Sequence, residues 1–353
     1  MFRVVLAPLD GSALSETALP FAAALVGGGG RLVLLRAVPP HAPPGSPHAD
    51  AGGEERAALE VVESYLTDVR LSLDARLRVE TVARAGQAGA TIVKEAERQR
   101  ADLVVMTSHG RAGPSRALFG SVADHAMRHA SVPVLIVPPR CDRAWPGDRP
   151  LRVMVPLDGS DFSERALWPA RDLAQTLQTG RGAEVILLQV IDQSAEIYHR
   201  RASRELFFDL DTALKAARGY LRSCTHALRD VTPRVGVRAV AGLPGPTIAR
   251  AAQELGADLI AMATHGRSGV SRVLAGSVAT ETLRRSRVPV LVVRPDALPA
   301  VAPREAVTPH ETASPQEAVA LASSSALAGV TRPGIPGKAM GIGSGAGGLR
   351  GAI

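Results

Sequence analysis

Short unbroken runs of Val, Leu and Ile alternate along this chain with longer stretches whose apolar residues recur at helical spacing, and the whole alternation is played through twice. The first set of runs covers 3–9, 32–38, 77–84, 103–106 and 134–137. The second lies near 152–157, 184–190, 235–241, 258–262 and 290–293. Between the runs of the first half, the periodicity predicts a helix from about Ser15, capped by Ser12 or Ser15 and stopped by Gly27–Gly30. Further helices are predicted over about 54–72, 89–99 and 120–129. Continuous apolar strands separated by helices indicate parallel sheets covered on both faces. Right-handed crossovers then make each half a doubly wound α/β unit.

The expectation is therefore two tandem five-stranded parallel-sheet domains, 1–140 and 151–296, joined by a Pro/Arg/Gly-rich linker at 141–150. Beyond them, residues 297–353 are dominated by Ala, Pro, Ser and Gly with no sustained apolar period. Such a segment cannot offset its ordering entropy and is predicted to be a disordered tail. The fifth strands, Val134–Val137 and Val290–Val293, read as sheet edges in need of cover.

Two signatures repeat with the strands. Each half opens on an apolar strand that ends Pro-Leu-Asp-Gly-Ser, at Pro8–Ser12 and Pro156–Ser160. After each fourth strand comes a glycine-bearing loop, Ser108–Ala123 and Thr264–Ala279. In the first loop Gly110 and Gly120 bracket nine residues and Ser121 follows; in the second, Gly266, Gly276 and Ser277 stand at the same spacing. Gly113 and Gly269 add a further glycine to each loop. Each Gly-Ser step opens a helix, so the amides of Ser121 and Val122, and of Ser277 and Val278, are free to face an anion. Ligands of doubly wound sheets sit beyond the carboxyl ends of the strands, where both signatures fall. The glycines also fit a plain tight turn between strand and helix.

Composition narrows the chemistry. The chain has 353 residues, a net charge of +7 and 3% aromatics, so its cores rest on aliphatic side chains. The basic excess is almost all Arg, since Lys occurs only at Lys94, Lys215 and Lys338. No Arg-rich block stands alone and few rings are available to stack on bases, which argues against nucleic acid as partner. No stretch reaches the ~20 apolar residues of a membrane span. The opening run is too short for a signal peptide, and Cys141 and Cys224 are too few for a disulfide framework. A cytoplasmic protein with free thiols is expected. His109 and His265 occupy the same place in both loops, but no Ser-His-Asp or Cys-His arrangement surrounds them, so a loop-shaping or ligand-lining role is expected. His125 and His129 have a metal-compatible i,i+4 spacing, yet the second half has Glu281 and Arg285 there, and no metal site is assigned. Asp10 and Asp158 read either as ligand-facing carboxylates or as turn formers.

At these residues the chain resembles the universal stress protein family in a tandem form, over about 2–138 and 151–295. The resemblance implies an adenine-nucleotide-hydrolase-like fold and ATP, with or without magnesium, as the bound cofactor. Nucleotide-binding members carry Gly, two residues, Gly, nine residues, then Gly-Ser/Thr after the fourth strand. Carried over, this places ligand contacts at Gly110, Gly120, Ser121 and Val122 and at Gly266, Gly276, Ser277 and Val278. The carboxylates Asp10 and Asp158, each two residues after Pro8 or Pro156, would face the ribose or adenosine end, and Val38 and Val190, as the last residues of the second strands, would border the adenine. Thr107 and Ala263 stand where the family pattern has its first Gly, a departure that adds a Cβ to each crevice. The resemblance also implies pairing of fifth strands, here between the two halves of one chain, and leaves a homodimer contact open. The function implied is stress-response regulation through nucleotide binding without efficient turnover, with unidentified signalling partners. A nucleotide-free adaptor and a slow ATPase are the rival readings.

Overall fold

A computed structural model of the chain describes residues 2–39, 51–108, 120–141, 144–177, 182–192, 209–229, 232, 234–264 and 276–294. The predicted tail, two linker residues and most of both glycine loops lie outside these residues. The first half runs β1 (Phe2–Pro8), α1 (Ala13–Glu16), α2 (Leu19–Leu25), β2 (Val26–Val38), α3 (Ala51–Ser72), β3 (Val79–Ala85), α4 (Ala88–Arg98), β4 (Leu103–Thr107), α5 (Ser121–His129) and β5 (Val134–Val137). The second half runs β6 (Leu151–Pro156), α6 (Asp161–Glu164), α7 (Leu167–Thr176), β7 (Ala183–Ile191), α8 (Leu210–Cys224), β8 (Val235–Ala241), α9 (Pro244–Glu254), β9 (Leu259–Ala263), α10 (Ser277–Arg285) and β10 (Val290–Val293).

The two predicted five-stranded sheets are one sheet of ten strands, ordered β3-β2-β1-β4-β5-β10-β9-β6-β7-β8. Pairing is parallel within each half. At the centre β10 meets β5 antiparallel, with Leu291 opposite Leu135. The edge that each half presents is thus closed by the other, which removes a template for unwanted pairing.

Side chains alternate across this sheet and build two aliphatic layers. Leu32 and Leu34 of β2 pack with Phe21 and Leu25 of α2 and Leu66 of α3 on one face. Val33 and Leu35 pack with Ile92 of α4 and Ala126 and Met127 of α5 on the other. The second half repeats the arrangement, with Leu187 and Leu221 on the first face and Leu188, Ile248 and Leu283 on the second. One of the scarce aromatics, Trp145 of the linker, stands edge-on to Phe21 at 5.0 Å and donates its indole N–H to the Phe21 carbonyl at 3.4 Å.

Two local readings change. The first helix is broken after Glu16 and restarts at Leu19, with Pro20 in its first turn where a missing N–H costs nothing. Gly27–Gly30 does not end in a loop but belongs to β2. The register slips there: Phe2 faces Val26, yet Val4 faces Arg31. The glycines absorb the extra residues as a bulge, since Gly29 has φ +78 and a Cβ on Gly30 would stand 2.7 Å from the Arg3 carbonyl oxygen.

Candidate functional site

The order of strands reverses between β1 and β4, and again between β6 and β9. Beyond their carboxyl ends each half therefore has the switch point at which doubly wound sheets take ligands. One wall is the turn after β1 or β6. Asp10 Oδ1 accepts from the Ser12 amide at 2.9 Å and the Ser12 hydroxyl at 2.6 Å. Ser12 Oγ in turn accepts the Ser15 amide at 3.2 Å, capping α1. Asp158 receives Ser160 at 3.0 and 2.5 Å, and Ser160 caps α6 through the Ser163 amide at 3.2 Å. Gly11 and Gly159 sit at φ +83 and +85, a conformation that excludes most side chains. Both aspartates are thus turn formers, with one carboxylate oxygen committed to the serine.

The other wall is the strand-to-helix corner. Thr107 ends β4 buried, and Ala263 ends β9 partly exposed. The Gly120 amide donates back to Ser108 at 3.0 Å, and the Gly276 amide donates to Thr264 at 3.0 Å. Gly120 and Gly276 then cap α5 and α10, whose fourth residues, Asp124 and Thr280, return amides to them at 2.9 and 3.0 Å. The amides of Ser121 and Val122, and of Ser277 and Val278, lie in the first turns, where helices leave N–H groups without intrahelical partners. Gly276 has φ −39, so its glycine is required by close approach rather than by backbone conformation. A Cβ there would stand 2.1 Å from the Thr264 carbonyl oxygen. His109, Gly110, Gly113, His265, Gly266 and Gly269 lie outside the described residues.

The strand register separates Val38 and Val190, expected at the same place in each half. Pro8 pairs with Leu35 and Pro156 with Leu188. The amide of Gly86 donates to the Val38 carbonyl, and that of Gly242 to Ile191. Val38 therefore corresponds to Ile191, and Val190 to Ala37: β7 runs one residue past Val190, so Val38 and Val190 face opposite sides of the sheet.

Sequence reasoning missed a polar cluster behind each Asp-Gly-Ser turn. In the first half the Arg36 guanidinium stacks 4.7 Å over the Tyr65 ring, and Tyr65 donates its hydroxyl to Glu16 at 2.7 Å. Arg36 Nη1 stands 2.6 Å from where a Cβ on Gly11 would be. In the second half Tyr220 donates to Glu164 at 2.9 Å and the Cys224 sulfur lies 3.8 Å from the same oxygen. Gln189 takes the place of Arg36, with Nε2 3.7 Å from a Cβ on Gly159. Burial raises both tyrosine pKa values, followed at Tyr65 by Glu16 and at Tyr220 by Cys224 and Glu164, and burial pushes the Cys224 thiol up to about 11. The available signal was a polar residue inside an apolar strand run, at Arg36 and Gln189.

His125 and His129 stack at 4.2 Å, but His129 Nδ1 is 2.9 Å from the His125 carbonyl oxygen. Among the described residues no three His, Cys, Asp or Glu side chains gather as a metal site. No described helix is long and apolar enough to cross a membrane.

The model of the universal stress protein family matches residues 1–138 and again 151–294. The chain belongs to the universal stress protein family. A universal stress protein of Mycobacterium tuberculosis is 30% identical over 194 residues, 55% of this chain, and the chain spans 62% of that relative's length. One from Mycolicibacterium smegmatis is 29% identical over 245 residues, 68% of this chain and 76% of its own. Among solved structures, a universal stress protein from Archaeoglobus fulgidus matches with a TM-score of 0.55 at 22% identity, covering 83% of this chain and 98% of its own. A Pseudomonas aeruginosa protein of unknown function gives the same TM-score at 18% identity, covering 92% and 98%. These two likenesses concern the fold. The paired family matches coincide with the two halves of the ten-stranded sheet, so each crevice belongs to one universal stress protein repeat.

Proposed function

We propose that this universal stress protein is a cytoplasmic regulatory protein that binds adenine nucleotides, ATP first among them, without efficient turnover. The observation that carries the reading is the duplicated Gly-Ser corner, whose first-turn amides lie at the same carboxyl edge of the sheet as an Asp-Gly-Ser turn in each half. Helix starts of this kind favour phosphate through their free N–H groups and partial positive charge. The shape of the corner is fixed by glycine, since a Cβ at Gly276 would collide with the Thr264 carbonyl oxygen. The phosphates would be held at Ser121 and Val122 or Ser277 and Val278, and the nucleoside would lie toward the aspartate turn.

The engagement of one carboxylate oxygen of Asp10 and of Asp158 by their serines supports slow turnover. Ligand binding would regulate by favouring one arrangement of the surrounding loops, provided that the two arrangements differ in affinity. One observation favours the adaptor reading for the first half, namely that Thr107 is buried where the family pattern has glycine.

Equilibrium dialysis with ATP tests the proposal. The unaltered chain is expected to retain nucleotide at millimolar concentration, with negligible phosphate release. Ser277→Glu, which sets a carboxylate in the first turn of α10, should weaken retention at the second corner while the circular dichroism spectrum stays native. No retention by the unaltered chain would establish the nucleotide-free adaptor instead, and steady phosphate release the slow hydrolase.

A further inference from the structure

We infer that the outer face of α6 and α7 is the surface on which a second copy of this chain docks. The inference stands apart from what the switch points bind.

Aromatic side chains are scarce in this chain, with six Phe, three Tyr and two Trp. Two of them stand at the surface of one short stretch: Phe162 of α6 is 42% exposed and Trp168 of α7 is 47% exposed. Each is overlaid by the arginine three residues on. The Arg165 guanidinium lies 5.8 Å from the Phe162 ring, and that of Arg171 lies 5.6 Å from the Trp168 ring. Leu167, Ala170, Leu173 and Ala174 of α7 are buried, so the aromatic face points away from the core. Other exposed large apolar side chains are scattered, with Val61 and Leu71 on different turns of α3 and Leu243 before α9. Single residues of that kind are ordinary on a surface. Grouped rings mark interaction faces, and Trp and Arg dominate the centres of protein interfaces.

The first half lacks this face. Counted from the matched aspartates Asp10 and Asp158, Leu14, Thr17, Pro20 and Ala23 stand where the second half has Phe162, Arg165, Trp168 and Arg171. Those four include no ring and no charge. There the linker lies against α2 instead, through Trp145 and Phe21.

Charge identifies the partner. The face carries Asp161 and Asp172 with Arg165 and Arg171, so its charges cancel, whereas the whole chain stands at +7. An acidic peptide or a nucleic acid is held by a net positive surface. Two copies of a +7 chain repel one another and meet most readily where each is neutral. A twofold axis offers the two arginines of each copy the aspartates and rings of the other, because both copies bring the same set. Strand pairing is a poor alternative. The strands β5 and β10 are paired with each other, and the outer strands β3 and β8 carry Glu80, Arg84 and Arg238, charges of the kind that keep sheet edges apart.

Sedimentation velocity of the full chain without nucleotide, from about 1 to 100 μM, should show a monomer passing into a dimer. In Trp145→Phe, Trp168 is the one remaining tryptophan, and its emission should move to shorter wavelength over the same range. Trp168→Glu and Phe162→Ser should each weaken the dimer at least about thirtyfold, the scale of a central aromatic anchor, with native circular dichroism because both residues are exposed. Leu71→Glu, at an exposed apolar residue of α3, should leave the dimer unchanged. A monomer over the whole range, or a dimer that neither Trp168→Glu nor Phe162→Ser weakens, overturns the inference. So does a monomer whose Trp168 emission responds to polyglutamate, which gives the face to an acidic partner, or shifts to the red when residues 297–353 are removed, which gives it to the tail.

Discussion

The two halves of the molecule share their backbone around the crevice and differ in the side chains that touch it. Asp10 and Asp158 make the same turn, and Gly120 and Gly276 the same corner. Against that, Arg36 stands where Gln189 does, Asp124 where Thr280 does, and His125 where Glu281 does. The features held in both copies are those that backbone geometry demands, because a positive φ or a 2.1 Å approach admits only glycine. The features that differ set charge and hydrogen bonding, which a fold tolerates in many combinations. Architecture and ligand preference are therefore carried by separate residues.

The comparison assumes that the halves are one cooperative body, and the seam between β5 and β10 is the place to break it. Leu135 and Leu291 face each other there, both fully buried. Leu135→Ala and Leu291→Ala should each cost about 3 kcal/mol, the middle of the range for core leucines. Since the sheet is continuous, each variant should still unfold in a single thermal transition. Two separated transitions in Leu135→Ala would show that the halves fold as independent domains.

A second contrast concerns how each half anchors the start of its first strand. Asp102, exposed, accepts the amides of Arg3 and Val4 at 2.8 Å each. Asp258, 3% exposed, accepts the Arg152 amide at 2.9 Å and is clamped by Arg149 of the linker at 2.6 and 2.8 Å. The clamp raises the arginine pKa, chiefly through these hydrogen bonds. Denaturant titrations should put Asp258→Ala about 2 kcal/mol below the unaltered chain and Asp102→Ala about 1 kcal/mol below it. The arginine is partly in water, which keeps the larger figure modest. Equal losses would mean that the linker clamp adds nothing to the second half.

Much of this was legible in the sequence. The strands announce themselves as aliphatic runs, and the Gly-Ser corners and Asp-Gly-Ser turns stand at fixed places in each copy. What escaped was set by distance or by register. Tyr65 and Arg36 meet only because α3 lies over β2, and no local pattern joins residue 149 to residue 258. Gly27–Gly30 reads as a helix stop because glycine ends helices, yet here the pairing of β1 with β2 draws the run into a bulge. Val38 and Val190 look equivalent as strand ends, and the pairing of β1 with β2 and of β6 with β7 shows the one-residue offset.

The smallest expected effect distinguishes α5 from α10 by pH. His125 lies below its ordinary pKa, first through burial and then through the neighbouring His129, opposed by Asp124. A histidine with a depressed folded pKa binds its proton more readily in the unfolded chain. Its contribution is fully present above about pH 6.5, the unfolded value, and is lost as pH falls from there toward the folded value. Glu281, in the same place on α10, is paired with Arg285 and Arg284 instead. Stability measured from pH 7.5 to 5.5 should therefore fall slightly more steeply in the unaltered chain than in His125→Gln. An unchanged slope would mean that protonation of His125 does not distinguish α5 from α10.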